Sequence, residues 1–166
     1  MEAIFENVCV RNREVTKEIY GYYFFRRNGV VVAYVILGLL FLTNLVMFFH
    51  DRESYSWGLF VFIFLFFVFQ ISRYYNTVKT TVMRFEEIGQ ILIKTTVTDE
   101  CVCITAPDGA SGKLEYCNVN KAIQTKNLII LETKAKLFYV FAKDGFTKGS
   151  KEDFVAFLQS KGIKIK

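Results

Sequence analysis

The stretch Asp108-Gly-Ala-Ser-Gly-Lys-Leu114 sets a Gly-Lys pair in a glycine-rich run. Such residues hold nucleotide phosphates when backbone N–H groups line a loop and a lysine reaches the outer oxygens. The spacing G-x-x-x-x-G-K-[ST] is absent, however, and no helical pattern follows to offer its N-terminus, so the run reads as a turn. Cys101-x-Cys103 is the next arrangement. On a strand both thiols fall on one face, but metal sites want C-x₂₋₄-C spacing and further Cys or His partners. The single histidine, His50, stands far from them. Neither G-x-S-x-G nor H-E-x-x-H occurs, and His50, in the short loop between two apolar runs, reads as an interfacial polar residue without catalytic partners. The acidic residues Glu86, Glu87, Asp99, Glu100, Asp108, Glu115, Glu132 and Asp144 are scattered and read as solvated surface charge. The expectation is a non-enzyme with no catalytic residue, no cofactor and no metal.

What remains chemically active is cationic. The formal net charge is +5, and Lys143, Lys148, Lys151, Lys161, Lys164 and Lys166 crowd the C-terminal end. Of these, Lys143, Lys148 and Lys151 are the expected contacts for an anionic lipid headgroup or an acidic protein partner. Anchoring against an anionic leaflet explains the basic balance without a nucleic acid, and none is expected as partner.

Two uncharged runs must position these groups. Gly29 to Phe49 reads GVVVAYVILGLLFLTNLVMFF and Trp57 to Ser72 reads WGLFVFIFLFFVFQIS. A helix crossing a hydrocarbon core of about 30 Å needs roughly 20 apolar residues, and lipid requires that backbone groups be satisfied within the segment. The chain thus divides into an N-terminal arm at 1–28 with a short strand and helix, a two-span hairpin at 29–76, and one domain at 77–166. No charge lies within either run, which argues against an ion or proton pathway. Thr43, Asn44 and Gln70 are the polar exceptions, expected to bond between helices or to mark span ends.

Arg11, Arg13, Lys17, Arg26 and Arg27 precede the first run, and Arg73, Lys79 and Arg84 follow the second, whereas the connecting HDRESYS offers only Arg52. That asymmetry predicts both termini in the cytoplasm and the loop outside. Tyr20, Tyr22, Tyr23, Tyr74 and Tyr75 mark the inner interface, Tyr55 and Trp57 the outer. The four cysteines would then face a reducing compartment and read as small strand residues. Gly29-x-x-x-Ala33 offers a small-x-x-x-small contact through which the hairpin could join a second copy.

From Gln90 the pattern changes to short β-branched and aromatic runs: QILIKTTVT, ECVCITA, KLEYCNV, KAIQT, LIILET and AKLFYVFA. PDGASG and Lys126-Asn127 supply turn chemistry, the latter because Asn tolerates positive φ. SKEDFVAFLQSKG then has Ser150 and Asp153 at capping-box spacing, an apolar stripe of Phe154, Val155, Phe157 and Leu158, and Gly162 to end the helix. Six antiparallel strands closed by one helix form the layout of a pleckstrin-homology-like (PH-like) module. The fold class is a membrane α-helical hairpin followed by an α+β PH-like β-meander.

The arm, the hairpin, the meander and the closing LFYVFAKDGFTKGSKEDFVAFLQSKG together resemble the YcxB-like family of bacterial membrane proteins over essentially the full length. Members typically carry Pro before the basic residue that follows the last strand; this chain has Ala142 before Lys143. The resemblance implies a bacterial inner or plasma membrane and a PH-like cytoplasmic domain, and it brings no activity. The expected function is a membrane-anchored module whose cytoplasmic domain binds a protein partner at the inner face. An anionic-lipid-binding module and an accessory subunit of a transport complex are the alternatives.

Overall fold

The computed structural model describes residues 2–26, 28–50, 57–88, 92–106, 109 and 111–166. Arg27, the loop with Arg52 and Tyr55, Gln90, and Pro107, Asp108 and Ala110 of the PDGASG run lie outside the described residues. The chain forms two compact units, Met1–Thr16 with Val82–Lys166, and Lys17–Thr81.

The first unit is built on two antiparallel sheets. Strands β1 (Phe5–Val10), β2 (Leu92–Val97), β3 (Cys101–Thr105), β4 (Ser111–Glu115) and β8 (Phe146–Lys148) form one, in the order β4-β3-β2-β1-β8. Strands β5 (Val119–Gln124), β6 (Leu128–Thr133) and β7 (Phe138–Ala142) form the other, in chain order. All six strands read from the sequence are present, with KLEYCNV broken by a 3₁₀ turn at Tyr116–Asn118 into β4 and the start of β5. The short strand expected in the arm is β1, and one further strand, β8, is added by the fold. β8 is only three residues long, too short to show a period.

β1 comes from the N-terminal arm, which is no separate element. Its residues pair with β2 from Phe5 opposite Val97 to Val10 opposite Leu92, and its other edge meets β8. Phe5, Asn7 and Cys9 point inward and are buried, the alternation a half-buried strand requires. The buried Asn7 stands where an apolar residue would suffice, for a reason: its Nδ2 donates to the Ala142 carbonyl at 2.8 Å and its Oδ1 accepts from the Ala142 N–H at 3.1 Å. One side-chain amide thereby satisfies both backbone groups at the end of β7 and ties the two sheets together. Without it the Ala142 N–H would lose its partner, at a cost of about 1–3 kcal/mol, while the carbonyl would keep the Gly145 N–H at 3.1 Å.

Helix α4 (Lys151–Ser160) begins as its sequence dictates. Ser150 is the N-cap, with Oγ accepting from the Asp153 N–H at 3.1 Å, and its hydroxyl donates to the Asp153 carboxylate at 2.6 Å. At the other end Gly162 takes φ +77°, its N–H meets the Gln159 carbonyl, and the Ile163 N–H meets that of Leu158, the paired bonds of a Schellman ending. Phe154 and Leu158 are fully buried with Val97, Val102, Leu131 and Phe141, while Phe157 and Val155 are partly covered. Gly149 packs against the Phe5 ring at φ +78°, a position only glycine fills without strain. Beyond α4 the chain runs parallel to β5: Ala122 N–H donates to the Lys164 carbonyl at 2.9 Å and Gln124 N–H to that of Lys166 at 2.8 Å. That edge is therefore already paired.

Two expectations are corrected in this unit. Asn127 closes the β5–β6 turn without positive φ; the left-handed non-glycine residue is Lys136 (φ 61°), in the β6–β7 turn. Glu132 is buried rather than solvated, because it lies opposite Lys121 across β5 and β6 and pairs with it at 3.0 Å.

The helices α1 (Arg13–Gly21), α2 (Asn28–His50) and α3 (Trp57–Ile88) carry the rest, with a π-helical turn at Tyr22–Arg26 between the first two. Asn12 caps α1 by accepting the Val15 N–H at 2.8 Å. α2 and α3 are both long and apolar enough to cross a membrane. They meet through ring pairs, Tyr34 stacked on Phe67 at 5.6 Å and Phe41 edge-on to Phe60 at 4.9 Å. Of their polar residues, Thr43 donates to the Leu40 carbonyl within its own helix and Asn44 is buried. α3 outruns its apolar stretch. Its 32 residues span about 48 Å, and after Gly58 no glycine or proline interrupts it before Gly89, so the boundary expected at 76/77 falls inside the helix. The Tyr74 hydroxyl donates to the Lys17 carbonyl and the Thr81 hydroxyl to the Tyr20 hydroxyl, both at 3.4 Å, holding α1 along the polar end of α3.

Candidate functional site

Of the three lysines singled out by sequence, the fold brings two together. Lys143, just after β7, and Lys151, at the start of α4, line one surface cleft of about 420 Å³ with Gln124, Ile129, Glu152 and Val155. Lys148 is elsewhere: it donates to the Ala3 carbonyl and lies 3.9 Å from Glu2.

Each wall has a local cause. β5 ends at Gln124 and turns through Lys126-Asn127 into β6, which places Ile129 at the cleft floor. The Lys143 N–H donates to the Asn127 carbonyl at 2.9 Å, and its ammonium donates to the carbonyls of Thr125 and Lys126, so the side chain is laid across that turn. These partners are neutral dipoles. Among the described residues Lys143 has no carboxylate partner, and its charge is uncompensated. Among the described residues Lys151 pairs only with its neighbour Glu152 at 3.5 Å, both exposed, a contact worth at most about 1 kcal/mol. The positive end of α4 adds a partial charge of the same sign, offset in part by Glu152 and Asp153 in its first turn. Cations at the rim over an Ile and Val floor suit a carboxylate flanked by an apolar side chain.

The cysteines do different work. The Sγ atoms of Cys101 and Cys103 are 3.7 Å apart on one face of β3, with Thr98 Oγ1 3.5 Å from that of Cys101. Burial pushes the Cys9 and Cys103 thiols up, so both stay protonated near neutral pH and are poor nucleophiles. Burial likewise raises the Tyr116 hydroxyl, with the nearby Cys101, Asp99 and Cys103 adding to it; that hydroxyl donates to the Thr98 carbonyl at 2.6 Å. Lys161 fastens α4 to the same region through Asp99 at 2.7 Å and the faces of Tyr116 and Phe157. Among the described residues no three His, Cys, Asp or Glu side chains group as metal ligands.

Residues 103–158 match the family of YcxB-like proteins. No curated protein and no solved structure matches the chain. The YcxB-like segment runs from the middle of β3 to the last buried residue of α4, and all six residues lining the cleft fall inside it. Sequence reading found Lys143 and Lys151 by charge and Val155 as part of the helix stripe. It missed Gln124, Ile129 and Glu152, the first two because nothing in the sequence tells which end of β5 and β6 meets the start of α4.

Proposed function

We propose that this chain is a non-enzymatic, membrane-anchored module that holds an acidic protein segment at the inner face of a bacterial plasma or inner membrane, with its β-sheet unit in the cytoplasm. The observation that carries this reading is the convergence of Lys143 and Lys151 over the floor made by Ile129 and Val155. A five-stranded and a three-stranded antiparallel sheet followed by one C-terminal helix support a PH-like assignment. PH-like folds serve many unrelated roles, so the ligand is argued from the cleft and not from the fold. With the β5 edge paired to the C-terminal residues, contact against α4 is the favoured mode.

Strand pairing supports the topology. β1 precedes α2 and β2 follows α3, yet the two are neighbours in one sheet. A chain that leaves a sheet and returns to the adjoining strand crosses a bilayer an even number of times. The basic flanks then favour the cytoplasm for both ends. Reporter fusions check this: a cytoplasm-dependent fluorescent protein should glow when joined at Lys166, and an alkaline phosphatase inserted in the loop at 51–56 should be active. The opposite pattern would reverse the orientation.

Reversing both cleft charges, Lys143→Glu with Lys151→Glu, should weaken partner binding on the order of thirtyfold at low salt, taking about 1 kcal/mol for each contact. The loss should shrink as ionic strength shortens the screening length. Binding measured against salt for wild type and variant decides it, and equal affinities at low salt would remove the cleft from the account.

A further inference from the structure

Outside the cleft stands another cation without an ion pair among the described residues, Arg73, the first residue after the apolar run that ends at Ser72. Its guanidinium lies 5.7 Å from the Phe69 ring centroid and 5.9 Å from that of Phe24, the latter in the π-helical turn at Tyr22–Arg26. Tyr74 continues the aromatic wall, meeting Phe25 at 5.3 Å and Phe24 at 6.0 Å. The Phe24 carbonyl accepts from the Tyr34 hydroxyl at 3.3 Å, which steadies the turn that presents the ring. Two ring faces therefore fix the guanidinium, while Arg73 makes no hydrogen bond and no ion pair with any described residue.

Five N–H donors in a rigid fork, exposed and without a carboxylate, match the oxygens of a phosphate. We propose that Arg73, held by Phe24 and Phe69, binds the phosphate of an anionic phospholipid at the C-terminal end of the second span. This rests on the reading of α2 and α3 as spans, since the site is then at the headgroup level where aromatic and basic side chains collect. Arg26, at the end of the same turn, brings a second exposed cation. A glycerol headgroup leaves the phosphate charge uncancelled, whereas choline carries its own cation, so phosphatidylglycerol is favoured over phosphatidylcholine.

The test uses the full chain in mild detergent, with lipids retained after purification counted by native mass spectrometry. Wild type should hold one phosphatidylglycerol with at least about a tenfold preference over phosphatidylcholine, by analogy with charge-assisted bidentate bonds. Arg73→Gln should abolish the preference, Arg73→Lys should keep part of it as a point charge, and Lys79→Gln farther along α3 should leave it unchanged. Soluble glycerol 3-phosphate at millimolar concentration should not displace the lipid; displacement would assign the site to free phosphate and overturn the lipid proposal. Equal retention in wild type and Arg73→Gln would overturn it as well. Should Arg73→Gln fail to fold, an undiminished preference in Arg73→Lys would do the same. Alkaline carbonate extraction of membranes separates this from the span reading: release of the wild-type chain sinks the spans, while retention with no lipid preference sinks the lipid site alone.

Discussion

A chain in which residues 11–91 are replaced by Asn-Gly should fold as a soluble domain, whereas residues 92–166 alone should not. Val10 and Leu92 are directly opposite at the last pair of β1 and β2, so a two-residue turn of that type closes the hairpin in register. The isolated C-terminal piece lacks a central strand. Phe5, Asn7 and Cys9 leave the core with it, β2 and β8 lose their shared neighbour, and Ala142 loses its amide partner. Losing the Phe5 ring alone is worth about 3–5 kcal/mol, a large part of the 5–15 kcal/mol that typically holds a domain together. Circular dichroism and thermal melting check the pair of proteins. A cooperative transition in residues 92–166 alone would show β1 to be dispensable.

Within the shortened domain, Phe154→Ala should cost about 3–5 kcal/mol and lower Tm on the order of 20 °C. The ring is fully buried and lies 4.6 Å from Phe141, 5.4 Å from Phe146 and 5.5 Å from Phe5, so strands of both sheets and α4 meet on it. Phe157, only partly covered, should cost about half as much when truncated, although its position in the stripe looks equivalent. Unchanged melting for Phe154→Ala would mean that α4 does not close the sheets.

Local signals carried much of this fold into view. Hydropathy marked both long helices, Ser150 and Gly162 marked the ends of α4, and β-branched runs marked the six strands between Leu92 and Ala142. Long-range pairing did not show. Phe5–Val10 alternates like any short strand, and nothing within those residues tells that their partners lie beyond two apolar helices. Glu132 misled for a related reason: it looks like a surface group until the partner that satisfies it, Lys121, is brought across by the fold. The cleft was half legible. Lys143 and Lys151 announced charge, while their separation from Lys148 depends on which face of the β7–β8 turn and of α4 each one leaves.

Partner recovery from intact cells, quantified for two altered full-length chains side by side, is the most direct measurement. One replaces residues 29–72 with an unrelated two-span hairpin of the same orientation; the other carries Lys143→Glu and Lys151→Glu. If the hairpin serves as an anchor, acting through apolar burial alone, recovery should be unchanged by the exchange and should fall with the charge reversal, by less than the roughly thirtyfold expected at low salt because cellular ionic strength screens the contacts. Recovery that survives the reversal and vanishes on hairpin exchange would put recognition within the membrane and contradict the cleft as the binding site.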